Sequence, residues 1–186
     1  MQNALIYHGG SARRGNFTFS GGGGGGGNAP VLLQTNFQYN DSQHTTLDER
    51  FIAWKVICKH TFVADSMGCF IYDTNDDKKM EMGIYSEEGL RLARTGEKTL
   101  GSYLHEEIQY DLSTSITMTK NVQYWLGLWG KGIDIGTEVG FSNLGTVFPG
   151  RVHCIDEESE TSLPSDIHTY TPGTQQLAIW AKGFTS

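Results

Sequence analysis

Val122-Gln123-Tyr124-Trp125-Leu126-Gly127-Leu128-Trp129 is the most hydrophobic stretch of this 186-residue chain, and its alternation decides how the rest is read. Side chains two apart on an extended strand share a face. Tyr124, Leu126 and Leu128 therefore fall on one side and suit a core. Trp125 and Trp129 fall on the other, about 13 Å apart at strand rise, with Gly127 leaving room between them. Two indoles flanking a gap can stack on pyranose rings, or lie buried where neighbouring subunits cover the sheet. Trp125 and Trp129 are thus the candidate ligand or interface aromatics.

Working outward, the same period recurs. Phe51 to Val63 alternates Ile52, Trp54, Val56 and Cys58, and Gly68 to Tyr72 is a short apolar run. Glu106 to Thr119 alternates through Ile108, Tyr110 and Leu112. Lys79 to Tyr85 leads into Ser86-Glu87-Glu88-Gly89 and then Leu90 to Arg94. A four-residue turn closing on glycine, where positive φ costs least, marks a hairpin. Val31-Leu32-Leu33 and Phe37-Gln38-Tyr39 suggest a short strand before a polar loop, Asn40 to Glu49. Thr146 to Phe148, Val152 to Ile155 and Gln176 to Trp180 have strand length, and Trp54 and Trp180 read as core. Ser86 to Leu100 has room for a short helical turn at most. Eight or more strands separated by Gly, Asn, Asp and Pro predict an all-β fold, an antiparallel two-sheet sandwich over residues 46–186.

Residues 1–45 read differently. Seven consecutive glycines, Gly21 to Gly27, cannot hold a helix or ordinary strand, because glycine loses the most backbone entropy on ordering. A flexible linker is one reading. Glycine also lets a backbone lie flush against another surface, which makes the stretch an extended assembly arm. Its anchors would be Leu5, Ile6, Tyr7, Phe17 and Phe19, its charges Arg13 and Arg14, and its close-approach segment Gly21, Gly24 and Gly27.

Composition narrows the function classes. Hydrophobic residues make up 38% and aromatics 11%, which excludes global disorder. Net charge is −7; the first thirty residues carry Arg13 and Arg14 and no acid, whereas residues 51–186 carry eleven basic and eighteen acidic side chains. Such a body is a poor ligand for nucleic acid, which needs clustered Lys and Arg. No apolar run approaches the roughly eighteen residues of a membrane helix. Residues 1–15 lack a signal-peptide apolar region, which predicts a chain not exported by that route. Cys58, Cys69 and Cys154 have no metal-binding spacing and read as buried reduced thiols.

Met82-Gly83-Ile84-Tyr85, Gly89-Leu90-Arg91-Leu92-Ala93, Thr95-Gly96 and Gln123-Tyr124-Trp125-Leu126-Gly127-Leu128 together resemble jelly-roll modules of tailed-bacteriophage virion proteins. These occur as head decoration (cement) proteins and as terminal domains of fibres, commonly as trimers. The resemblance covers residues 51–148 and not the arm. It departs from the pattern at Asn121, where a glycine is commoner, and at Ser86, where Asp more often opens the turn. It implies a jelly-roll homotrimer whose partners are itself and the major capsid protein or another virion protein, located on the capsid surface or else in tail or fibre. The alternative it implies is a receptor- or carbohydrate-binding module that recognises a cell-surface glycan.

Catalytic patterns are weak. Gly140-Phe141-Ser142-Asn143-Leu144-Gly145 misses the GxSxG spacing by one residue. The six histidines include no HExxH, and Asp73-Thr74-Asn75-Asp76-Asp77 lacks the glycine and glutamate of an EF-hand. Glu87/Glu88 and Glu106/Glu107 are adjacent pairs, so on a strand their carboxylates diverge rather than flank one bond. Asp156-Glu157-Glu158 reads as a solvated loop or a docking patch. The expectation is a protein without enzymatic activity, bound metal or cofactor.

Overall fold

The described residues form twelve strands and no helix. The computed structural model describes residues 4–8, 11–15, 30–34, 39–74, 78–101, 103–138, 154–167 and 179–185. The strands are β1 (Ala4–His8), β2 (Ser11–Gly15), β3 (Pro30–Gln34), β4 (Tyr39–Ile57), β5 (Phe62–Thr74) and β6 (Lys78–Tyr85). They continue with β7 (Arg91–Arg94), β8 (Lys98–Leu100), β9 (Tyr103–Met118), β10 (Gln123–Glu138), β11 (Cys154–Glu158) and β12 (Ile179–Phe184).

All pairings are antiparallel. One layer runs β11-β4-β10-β6, with β7 and β8 end to end along the far edge of β6. The other runs β9-β5-β12-β3. The layers join where β10 passes from β6 to β5, at Asp134↔Asp73 and Ile135↔Ile71. The fold is therefore an antiparallel β-sandwich whose ladder continues around one corner.

Between the layers lies the main core. Ile52, Met82, Ile84, Leu126 and Leu128 of the first layer belong to one cluster with Phe62, Met67, Cys69, Ile71, Ile108 and Ile179 of the second. Fully burying one such side chain contributes about 1.5–3 kcal/mol. Tyr124, Leu126 and Leu128 face this core, as the alternation predicts. The period then resets. A register shift at Gly130 to Ile133, with Gly132 at φ 67°, turns odd-numbered Ile133 into the same core. A bulge there requires the left-handed conformation that glycine adopts without strain.

The hairpin at Ser86 forms as expected: Gly89 N–H donates to Ser86 O at 3.1 Å, and Gly89 has φ 95°. Other boundaries moved. Asn40 to Glu49, expected as a loop, is the first half of β4, because β10 is long enough to pair with it as far as Tyr39. Thr46 Oγ1 donates to Asp134 Oδ1 at 2.6 Å across that extension. The expected single strand over Phe51 to Val63 breaks after Ile57, where the chain crosses between layers; Cys58 N–H donates to Val122 O and Asn121 N–H to Cys58 O. The window for a helical turn, Ser86 to Leu100, holds instead the hairpin turn, β7 and β8. Thr95 separates the two strands and satisfies its hydroxyl on the Met82 backbone. Asp156-Glu157-Glu158 lies in β11 rather than in a loop, and the stretch expected at Thr146 to Phe148 lies outside the described residues.

Cys58 and Cys69 are unpaired, buried thiols. Burial pushes both pKa values up, that of Cys69 further, which makes them poor nucleophiles.

At the N-terminus β1 and β2 form their own two-stranded sheet, in a stretch whose sequence suggested no folded unit. The sandwich itself begins earlier than residue 46: β3 pairs with β12, and β4 starts at Tyr39.

Candidate functional site

The side of the first layer that faces away from the main core is not bare. Phe51 and Ala53 of β4, Trp125 and Trp129 of β10 and Tyr85 of β6 form a second buried cluster there with Leu163 and Ile167. The last two come from residues 159–167, a strap that leaves β11 at Ser159 (φ 66°) and crosses the layer.

β4, β10, β6 and β7 each contribute a tie to the strap. On β4, Glu49 O accepts from Glu160 N–H at 2.7 Å. On β10, the Trp129 indole N–H donates to Glu160 O at 2.6 Å. On β6, the Tyr85 hydroxyl donates to Pro164 O at 2.9 Å. On β7, the Arg91 guanidinium donates to Leu163 O and Pro164 O at 2.7 and 3.2 Å, and its backbone N–H to Ser165 O. The strap ends with Ile167 N–H on Gly89 O. Backbone carbonyls that a loop would otherwise leave to water are thereby satisfied by side chains of the sheet.

Gly127 and Gly83 are paired across β10 and β6, and together they make a dimple in this face. A Cβ on Gly127 would stand 2.7 Å from the Phe51 ring and 2.9 Å from the Tyr85 ring; one on Gly83 would stand 2.8 Å from Leu163 Cδ2. The dimple is therefore filled by Phe51, Tyr85 and Leu163, the two rings packed edge to face at 5.7 Å between centroids.

Of the two readings of the indole pair, burial holds and the open gap does not, with the cover supplied by the chain's own strap rather than by a neighbouring subunit. Trp125 is 5% and Trp129 2% exposed. The Trp125 N–H is held by Glu87 O at 3.2 Å, and Lys55 Nζ lies 4.7 Å from its ring centroid. Alternation placed the two side chains on the outer face correctly, but the chain's own strap and neighbouring rings cover them. Neither offers a surface on which a sugar ring could stack. Sequence reading missed Phe51, Tyr85, Leu163 and Ile167 as partners; the one signal was a Leu-Pro and an Ile isolated in a polar run.

On the same face Glu81 of β6, paired with Trp129, is a buried carboxylate, its side chain 5% exposed. Arg94 Nη1 stands 3.3 Å from Glu81 Oε1, an ion pair without hydrogen-bond geometry. Burial raises the Glu81 pKa, and Arg94 and then Arg91 offset the rise only in part. The sign of the pH effect follows. A carboxyl whose pKa is higher folded than unfolded stabilises the fold below its ordinary value of 4.5, and that contribution is lost as pH rises through the folded value. Glu81→Gln is expected to be more stable than the parent at neutral pH, with the difference closing on acidification. Urea midpoints measured at both ends of this range check it; a variant less stable at neutral pH contradicts it.

The remaining candidates scatter. Leu5, Ile6 and Tyr7 lie on β1 opposite Arg14, Arg13 and Ala12 of β2. Phe17, Phe19, Gly21, Gly24 and Gly27 lie outside the described residues, as does Ser142. Asp73 and Thr74 end β5, and the rest of that acidic run lies outside the described residues. Among the described residues no three His, Cys, Asp or Glu side chains are placed to hold a metal ion. Compared with known proteins, the chain matches no family model and no curated sequence.

Proposed function

We propose that the chain is a structural component of a bacteriophage virion, a head decoration or cement protein that acts as a jelly-roll homotrimer and stabilises the capsid through its body and its N-terminal arm. The observation that carries this reading is the double burial of the first layer. Its two faces pack against the second layer and against the strap, which makes a stiff scaffold and leaves edges, ends and arm for contact. The work is mechanical. Clamping adjacent capsid subunits adds buried area and raises the free energy needed to separate them, provided the arm's contacts exceed the entropy lost when it orders. Tyr7, Phe17 and Phe19, with Leu5 and Ile6 beside them and the charges of Arg13 and Arg14, would supply those contacts, on a leader whose charge is opposite to that of the body.

The carbohydrate-binding alternative has less support, because the indoles it would use are enclosed by the chain itself. Deleting residues 1–29 removes no strand from the ten-stranded ladder. That truncation is expected to stay folded and soluble and to lose binding to virus particles in a co-sedimentation assay. Particle binding equal to that of the full chain overturns the role given to the arm.

A further inference from the structure

At one end of the sandwich β4, β6, β9 and β12 finish and β5, β7 and β10 begin. The pairs Gln123↔Ile57, Trp125↔Tyr85 and Phe184↔Val63 hold these ends together. The large apolar side chains left exposed among the described residues all lie here: Ile57, Leu90, Leu92, Val122 and Phe184, each 37–54% exposed. Isolated exposed apolar residues are ordinary, but their gathering at one end of a domain marks a contact surface. Ile57 and Val122 are held together by the Cys58–Val122 backbone bond. Leu90 and Leu92 lie beyond β10 and β6, about 10–15 Å away at the spacing of paired strands.

Charge divides this end in two. Lys59 and Lys120 are exposed on the turns beside Ile57 and Val122, and Glu87 and Glu88 are exposed on the turn before Leu90. Ser86 and the backbone hold the Glu88 pKa below its usual range, so it stays ionised. An apolar surface with a basic half and an acidic half is complementary to itself. In any closed symmetric assembly the basic half of one copy can meet the acidic half of the next.

We infer that this end of the sandwich is a self-association face whose occupant is a second copy of this chain, Lys59 and Lys120 of one copy facing Glu87 and Glu88 of the next. The inference rests on the multimeric part of the proposed function and adds to it the surface through which copies meet. The apolar side chains supply the area removed from water. The charges fix register, since at physiological salt they act over only about 8 Å.

Analytical ultracentrifugation of the full chain across the micromolar range tests it. The parent is expected to sediment as a concentration-dependent multimer. Leu90→Ser with Val122→Ser, and separately Lys59→Glu with Lys120→Glu, are expected to weaken association about tenfold or more, roughly 1.4 kcal/mol, with unchanged circular dichroism and, at dilutions where parent and variants are all monomeric, an unchanged melting temperature. Adding Glu87→Lys and Glu88→Lys to the lysine variant is expected to restore association, a rescue that lost folding cannot imitate. A multimer equally tight in every variant overturns this face and leaves the multimeric reading standing. A parent that sediments only as a monomer overturns the face and the trimer together, while particle binding through the arm remains a separate readout.

Discussion

Trp129→Ala is expected to cost about 3–5 kcal/mol of stability, the range for deleting a large buried aromatic. The side chain is 2% exposed, lies among Phe51, Tyr85 and Leu163, and donates its N–H to Glu160 O at 2.6 Å. Its loss leaves a cavity under the strap and removes the tie at the strap's first turn. Total stabilities of single domains are about 5–15 kcal/mol, so the variant should be only marginally folded. A urea titration followed by circular dichroism reads the change. A ligand platform behaves differently: truncating an exposed stacking indole removes binding and leaves the unfolding midpoint nearly unmoved. A loss below about 1 kcal/mol would place Trp129 outside the packed interior.

Gly127→Ala is expected to destabilise by about 1–3 kcal/mol, the usual cost of inserting a methyl into a filled site. The added Cβ meets Phe51 at 2.7 and 2.8 Å and Tyr85 at 2.9 Å. Those rings have little freedom to retreat, because they pack on each other and the Tyr85 hydroxyl is held by Pro164 O at 2.9 Å. Relief therefore requires lifting the strap. Hydrogen exchange should show it, with the Ile167 and Arg91 amides, bonded to Gly89 O and Ser165 O, losing protection before the amides of β10. Were the space beside Gly127 open, the same substitution would be neutral or mildly stabilising, since alanine reduces the entropy of the unfolded chain.

The central sheet was legible because one eight-residue stretch, Val122 to Trp129, alternates cleanly and sits in the middle strand of its layer. The Ser86 to Gly89 turn was legible for a local reason: glycine at its close supplies the positive φ. What covers the indoles was not legible. The strap has no period, and its grip depends on Tyr85, Arg91 and Trp129, which approach it only once β4, β10, β6 and β7 are aligned. The burial of Glu81 was not legible for the same reason: only the tertiary structure shows that its side of β6 is covered. Asn40 to Glu49 looked like a loop because a strand extended by pairing with β10, rather than by burial of every second residue, carries no hydrophobic alternation.

Exchange of the two indole N–H protons of Trp125 and Trp129, followed by NMR in the intact chain, tests most directly whether the aromatic face is interior. Both protons are bonded to backbone carbonyls, of Glu87 and Glu160. The expected result is protection of both by orders of magnitude relative to a solvent-exposed indole, with Trp129 the slower. Exchange of either proton at the rate of a free indole in water would show that the face is open, and would contradict the account of a sandwich whose central layer is covered on both sides by its own chain.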